Sequence, residues 1–319
     1  MITALARAKI NPYLSVRGRR PDGYHELETI MQSISLADEL TVTAADRSRI
    51  NIFWAPGLEG EIPDQPDIVE RTVVVSRFEG DNRPVIDLEK KIPIGAGLGG
   101  ASADAAAALL ALQQLQDRSV ANPLDIDRLA RQLGADVPFC LLGGTALATG
   151  IGDELEPMEC AGPLWWAIGV SDVLLKTPEV YKRFDEMVPA GHVPSGNGSR
   201  GGATASFDAA LRSASRGGSG AVAVLSEALR SGDVEAVALN LSNELEVAAF
   251  DLVPALRDRK SEMIRAGALG AVMTGSGSAI AGLCRDEAHA REVAAAAQPG
   301  FARVEVVHST EVGAEVVSR

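Results

Sequence analysis

The first half of the chain is written mainly in the two-residue period of β-strands. Apolar and β-branched residues alternate or run together over residues 4–16 and 28–42, with the polar turn Arg17-Gly18-Arg19-Arg20-Pro21-Asp22-Gly23 between them. Residues 49–54 and 84–92 predict further strands, and residues 67–78 a helix entered after proline. The period then changes. Residues 101–115 are Ala-rich and apolar almost all round, which predicts a buried helix rather than an amphipathic one. A second helix over 126–133 stops at Gly134, and residues 145–148 predict a strand.

Farther on, residues 164–170 read as a strand and 178–187 as a helix. Gly, Ser and Asn are dense between residues 190 and 220, predicting a mobile loop with one weakly helical piece at 207–214. Helices resume at 221–229 and 233–246, and strands at 270–283 and 303–307 surround another glycine loop. No internal repeat is visible. The break in character near Pro157 to Pro163 divides the chain into residues 1–157 and 158–319.

The 319 residues are 46% hydrophobic and 23% charged, enough apolar side chain for a sizeable core. A net charge of −13 argues against a binder of nucleic acid or of anionic membrane surfaces. Arg7 and Lys9 interrupt the apolar N-terminal stretch, and no run approaches the roughly 20 residues of a membrane span, so neither leader nor anchor is predicted. Cys140, Cys160 and Cys284 are scattered without a C-x-x-C pair and read as buried thiols of a reducing compartment. The picture is an acidic cytoplasmic enzyme.

Candidate chemistry concentrates in Pro93-Ile94-Gly95-Ala96-Gly97-Leu98-Gly99-Gly100-Ala101-Ser102-Ala103-Asp104. Gly95, Gly97 and Gly100 match G-x-G-x-x-G, but the charged Asp87-Leu88-Glu89-Lys90-Lys91 before them does not suit the buried strand of a dinucleotide fold. No Lys follows Gly100, so this is not the common P-loop either. Glycines running into a helix start nevertheless make an anion cradle, because N–H groups converge there without Cβ obstruction. A triphosphate suits it; a purely structural glycine turn is the alternative. A second small-residue loop, Thr274-Gly275-Ser276-Gly277, precedes an apolar run, and strand alternation puts Lys9 and Asn11 on one face.

Lys9-Ile10-Asn11, the glycine loop with Ser102, and the loop at Gly275, Ser276 and Gly277 resemble, in order and spacing, the three motifs of the GHMP kinases. These are named for galactose, homoserine, mevalonate and phosphomevalonate. The strings Arg19-Arg20-Pro21-Asp22-Gly23-Tyr24-His25-Glu26-Leu27 and Leu133-Gly134-Ala135-Asp136-Val137-Pro138-Phe139 are more specific. They resemble the branch acting on 4-diphosphocytidyl-2-C-methyl-D-erythritol, in the non-mevalonate isoprenoid route.

The resemblance implies an α+β fold: an N-terminal mixed-sheet domain with helices, a C-terminal ferredoxin-like domain, and an active site in the cleft between them. It implies ATP as phosphoryl donor with Mg2+, a small-molecule acceptor, and a monomer or homodimer. It further implies Asp136 and Lys9 as catalytic residues and Pro93, Gly95, Ala96, Gly97, Leu98, Gly99, Gly100, Ala101, Ser102 and Ala103 around the ATP phosphates. Asn11, Tyr24, His25, Thr177 and Tyr181 would meet the substrate, the two tyrosines on the faces of its cytosine. Ser102 would be the hydroxyl for the metal, since Ala103 stands where the family often has a second serine. Three points depart from or blur the pattern: Asp67 replaces an Asn near the adenine, Lys90 beside Lys91 reads equally as a solvated charge, and Asp104 as a helix cap. Another GHMP kinase, or a non-catalytic sensor on this fold, remains the alternative.

Overall fold

The computed structural model describes residues 1–56, 58, 68–76, 83–116, 125–188 and 219–318. The loop predicted at 190–220 lies outside them, apart from Ser219 and Gly220, as do the helical piece at 207–214 and Asp67. Two long strands organise the first sheet. β1 (Ile2–Arg19) and β2 (His25–Ala45) pair antiparallel along most of their length. Both outrun the predicted limits, because pairing continues through a register shift at Val16/Gly18 and Arg17 reaches Glu28 across the ladder.

Register shifts also lie at Arg7/Lys9 and Ile10/Tyr13. Such irregularities bend strands and let them change partners. The later part of β2 pairs with β4 (Arg83–Lys90), and its earlier part with β5 (Thr145–Thr149), which pairs in turn with β6 (Glu154–Met158). β3 (Arg49–Trp54) runs parallel to β4, and α1 (Ile68–Val75) lies between them in the chain. β12 (Glu315–Ser318) and the two-residue β8 (Ser242–Asn243) come from far down the chain to flank β1.

α2 (Gly100–Gln116) packs across β1 and β2, with α1, α3 (Ile126–Leu133) and α4 (Val137–Leu142) around it. Every residue of α2 from Ala103 to Leu109 is buried, as its composition predicts. α4 was not anticipated: it is six residues long and starts with a proline in its first turn, too short to leave a period.

The second sheet has the order β11-β7-β10-β9, all antiparallel: β7 (Trp165–Val170), β9 (Gly270–Met273), β10 (Ile280–Cys284) and β11 (Arg303–His308). Described helices α5 (Thr177–Met187), α6 (Ser219–Ser231), α7 (Val234–Leu239), α8 (Glu246–Leu252) and α9 (Ala255–Arg265) lie between β7 and β9, and α10 (Glu287–Ala297) between β10 and β11. With the first and third strands central, this is the ferredoxin-like arrangement.

One prediction fails here. The helix expected at 233–246 ends at Leu239, because Asn240 turns its amide back on Ala236 O and Ser242–Asn243 pair with β1. Short polar side chains that bond nearby backbone favour such breaks. β6, β12, α8, α9 and α10 are also additional to the predicted elements. The sheets share one core, in which Ile10, Ile30 and Ile34 meet Trp166, Ile168 and Leu283. Trp166 Nε1 donates to Gln32 Oε1 at 3.0 Å across that junction. Cys140 and Cys284 are buried, Cys160 partly so, and all three are free thiols. Among the described residues no helix is long and apolar enough to cross a membrane.

Candidate active site

Elements of both sheets line a cleft of about 900 Å³. β4 enters it, the loop of residues 91–99 crosses its floor, and α2 starts from it at Gly100. Gly95, Gly97 and Gly99 have φ of +64°, +78° and +70°, a region L side chains rarely adopt. At Gly97 contact matters as well: a Cβ there would stand 2.2 Å from Thr274 O. The two glycine loops therefore touch, and Thr274 Oγ1 donates to Gly97 O while Ala279 N donates to Ala96 O at 3.1 Å. Gly100, Ala101 and Ser102 open the helix toward the cleft.

β1 reaches the loop directly, its Lys9 N donating to Leu98 O at 2.9 Å. The alternation argument holds, since Lys9 Nζ donates to Asn11 Oδ1 at 2.8 Å. Lys9 Nζ also lies 3.4 Å from Asp136 Oδ2. Asp136 occupies the N-cap of α4 without using its side chain as a cap, which leaves the carboxylate free beside Lys9. Asn11 is only 1% exposed and its Nδ2 donates to Thr29 Oγ1 at 2.9 Å, so Thr29 anchors the amide whose oxygen holds Lys9. Burial and the Asp136 charge push the Cys140 thiol well up, which leaves it no nucleophilic part to play.

Behind the glycine loop sits a buried charge cluster. Lys90 bonds both Asp38 and Asp104, and Asp38 Oδ1 accepts the N–H groups of Lys91 and Ile92 where the loop leaves β4. Lys90 is thus buried, and Lys91 is the solvated one. Burial works against the Lys90 charge, but the two aspartates outweigh it and raise the ammonium pKa. Burial, first of all, pushes the Asp104 carboxyl up, against the lowering pull of Lys90.

The far end of the cleft is built differently. Tyr24, on the tip between β1 and β2, is 61% exposed. His25 stacks on Tyr181 of α5, with ring centroids 4.6 Å apart and planes at 27°. Thr177, at the start of α5, and Ser276 of the second loop share a hydrogen bond of 2.7 Å. Burial, then the charge of Asp136, push the Tyr181 phenol up, so it stays neutral beside the aspartate.

Of the residues to which the resemblance gives a catalytic, phosphate-binding, substrate-binding or third-motif place, Ala103 and Gly277 do not line this cleft; the others do. Ala103 is buried within α2, and Gly277 backs onto Met273, whose Sδ a Cβ would approach to 2.8 Å. The sequence motifs do not include Asp38, Asp185 or Asn243. Asn243 Nδ2 donates to Met273 O and Gly275 O, clamping the second glycine loop to β1.

The residues fit a divalent ion that arrives with a nucleotide. Among the described residues no group of three or more His, Cys, Asp or Glu could hold a metal by itself. The cleft offers instead the Ser102 hydroxyl and the buried Asp104 Oδ1, which has no hydrogen-bond partner. Hard oxygen donors, few in number, are what Mg2+ uses when phosphates complete its shell.

A glycine cradle at a helix start, facing a paired Lys and Asp in an interdomain cleft, defines a small-molecule kinase. The model for the GHMP kinases N terminal domain matches residues 68–144, and that for GHMP kinases C terminal matches residues 225–301. A 4-diphosphocytidyl-2-C-methyl-D-erythritol kinase of Cutibacterium acnes is 37% identical, covering 99% of this chain and 97% of that protein. The protein of the same name from Pelotomaculum thermopropionicum is 39% identical over 92% of this chain and 93% of its own length. A crystal structure of 4-(cytidine 5'-diphospho)-2C-methyl-D-erythritol kinase superposes with TM-score 0.73 at 35% identity, covering 96% of this chain and 98% of that one. A crystal structure of L. major mevalonate kinase, at TM-score 0.68 and 15% identity over 96% of this chain and 95% of that one, shares the fold. The chain belongs to the GHMP kinases and, within them, to the 4-diphosphocytidyl-2-C-methyl-D-erythritol kinase family.

Proposed function

We propose that this enzyme transfers the γ-phosphoryl group of ATP to the 2-hydroxyl of 4-diphosphocytidyl-2-C-methyl-D-erythritol, releasing ADP and the 2-phosphate. The Lys9–Asp136 pair, at 3.4 Å beside the glycine loop, carries this reading. A tertiary alcohol is a crowded nucleophile, and a carboxylate that orients it and accepts its proton is useful. Asp136 has that part: as the hydroxyl oxygen bonds phosphorus and the β–γ bridge breaks toward ADP, the proton passes to the carboxylate. Lys9 pairs with Asp136 and offsets charge spreading over the transferring group. Asn11 and Thr29 hold that lysine still.

Within residues 93–102 the backbone N–H groups from Ile94 onward hold the ATP phosphates, Pro93 having none to give, and Ser102 with the free oxygen of Asp104 would hold Mg2+, which supplies charge neutralisation among the phosphates. Tyr24, His25 and Tyr181 receive the cytosine, and Thr177 with Ser276 the methylerythritol part. On this reading residues 1–157 carry the phosphate cradle and the reacting pair, and residues 158–319 the helix that receives the base. The enzyme works in the cytoplasm as a monomer or homodimer, apart from nucleic acid and membrane.

An ADP-release assay with Mg-ATP tests this. Turnover with the cytidine substrate and none with mevalonate or homoserine is expected, and Asp136→Asn should lower kcat by about 10²–10⁴ while each KM stays within a few-fold. Preferential turnover of homoserine or mevalonate overturns the substrate, and a normal kcat in the variant overturns the base.

A further inference from the structure

Asp185 ties together the end of the cleft that faces Tyr24. It follows Tyr181 by four residues on α5, so the two side chains leave the same face of that helix. While the Tyr181 ring stacks on His25, Asp185 Oδ1 lies 2.7 Å from His25 Nε2. Asp185 Oδ2 lies 3.7 Å from Arg19 Nη1. Arg19 ends β1 and His25 begins β2, so one carboxylate from the second sheet's helices grips both flanks of the tip that carries Tyr24. Arg19, Tyr24, His25, Tyr181 and Asp185 all line the cleft.

An ionised carboxylate only accepts hydrogen bonds. The His25 nitrogen facing it therefore carries the proton, and in the neutral ring Nδ1 is left as the acceptor. A ring whose tautomer is fixed presents one donor–acceptor polarity; a ring free to choose presents either. Cytosine and uracil differ in that polarity, with an amino donor and ring-nitrogen acceptor in one and a carbonyl acceptor and N–H donor in the other. A site of fixed polarity rejects the mismatched partner, because the mismatch leaves a buried group unpaired.

We propose that Asp185 is a positioning residue for substrate selection: by accepting the His25 Nε2–H while the ring stacks on Tyr181 it fixes the imidazole's polarity, and so favours a cytidine over a uridine diphosphate substrate. This rests on the reading that the base binds at Tyr24, His25 and Tyr181. It assigns the preference to a residue that need not touch the base. The aromatic stack supplies affinity for either pyrimidine, and the Asp185–His25 bond supplies the choice.

The test compares Asp185→Ala, Asp185→Asn and His25→Ala with the parent, measuring kcat and KM for the cytidine substrate, for its uridine analogue and for ATP. In Asp185→Ala the cytidine preference in kcat/KM should fall about ten-fold, chiefly through KM, with the ATP KM unchanged. Asp185→Asn, whose amide can accept from or donate to the ring, should lose part of the preference. An unchanged preference in Asp185→Ala overturns the inference, even if every KM rises or the melting temperature falls, because a merely structural role moves both substrates together. If His25→Ala leaves the cytidine KM untouched, the base site itself is misplaced. If His25→Ala raises that KM while Asp185→Ala keeps the preference, the base site stands and only the part given to Asp185 fails.

Discussion

The two ends of the cleft solve recognition by opposite means. At the phosphate end the recognising groups are backbone, set by glycines at positive φ and by a helix start, and braced behind by buried Asp38, Lys90 and Asp104. At the nucleobase end they are side chains: Tyr24 stands 61% exposed, and His25 is held by one stack and one hydrogen bond from α5. Backbone recognition suits a group that must lie in line with its acceptor, since a loop fixed at both ends loses little on binding. Side-chain recognition suits choice among bases, where polarity matters more than rigidity. Changes at the first end should therefore disturb stability and ATP together, and changes at the second should alter substrate affinity alone.

The sharpest break is predicted for Asp38→Ala. It leaves Lys90 short of one partner and the Lys91 and Ile92 N–H groups without theirs, in a region closed to water. Removing one member of a buried ionic cluster costs about 3–5 kcal/mol. Denaturant unfolding should show that loss, and calorimetry on the remaining folded protein should find ATP binding weakened more than binding of the cytidine substrate. Unchanged stability would mean that the cluster is not a brace.

Next comes Gly97→Ala, which puts one carbon into the 2.2 Å approach to Thr274 O and forces an L residue to positive φ. Strain of this kind is about 1–3 kcal/mol, so the ATP KM should rise roughly ten- to a hundred-fold, the cytidine KM much less. Gly99→Val separates the ends less cleanly, because its Cβ would press on the Lys9 stem at 2.9 Å and so lower kcat as well as ATP affinity.

Tyr24→Ala probes the other end. Losing a base stack costs about 1–3 kcal/mol of substrate affinity. Because that ring is mostly in water, the melting temperature should stay where it is. A raised ATP KM instead would show that the two nucleotide ends have been exchanged.

The same contrast explains what the sequence makes legible. The glycine loop declares itself because its chemistry is backbone, and only a few residue types permit that backbone. The Ala-rich α2 likewise declares its burial. Asp38 and Lys90 also left a signal. Asp38 falls in phase with buried Ile34, Leu40 and Val42 of β2, and Lys90 in phase with buried Ile86 and Leu88 of β4. Opposite charges at core positions of neighbouring strands announce a buried pair, and phase alone separates Lys90 from Lys91. Asp185 gave no such sign: an acid on a half-exposed helix face acquires meaning only when His25, 160 residues away, arrives opposite it. The break after Leu239 was hidden for a related reason, since Asn243 is released from helix by loops that fold around it.

The smallest effect concerns the joint between the two ends. Glu244 follows the clamp residue Asn243, and its Oε2 accepts Val16 N–H at 2.6 Å, near the tip of β1 that leads to Tyr24. Burial pushes its carboxyl up to about 6, against the lowering effect of Val16, Ser15 and Arg17. A raised carboxyl pKa means that the folded chain holds this proton more tightly than the unfolded chain does. The stabilisation it brings is therefore complete below the ordinary carboxyl value of 4.5 and is lost as pH rises toward 6. At neutral pH the ionised group costs the fold about 1–2 kcal/mol relative to acid. Glu244→Gln keeps an oxygen for Val16 N–H and removes the charge. Its stability relative to the parent should therefore improve between pH 4.5 and 6 and level off above, with ATP affinity unaltered. Urea midpoints of both proteins across that range decide the matter. A difference between them that does not change with pH would mean that Glu244 ionises freely in the fold, and that the joint is wetter than the buried cluster behind the phosphate loop.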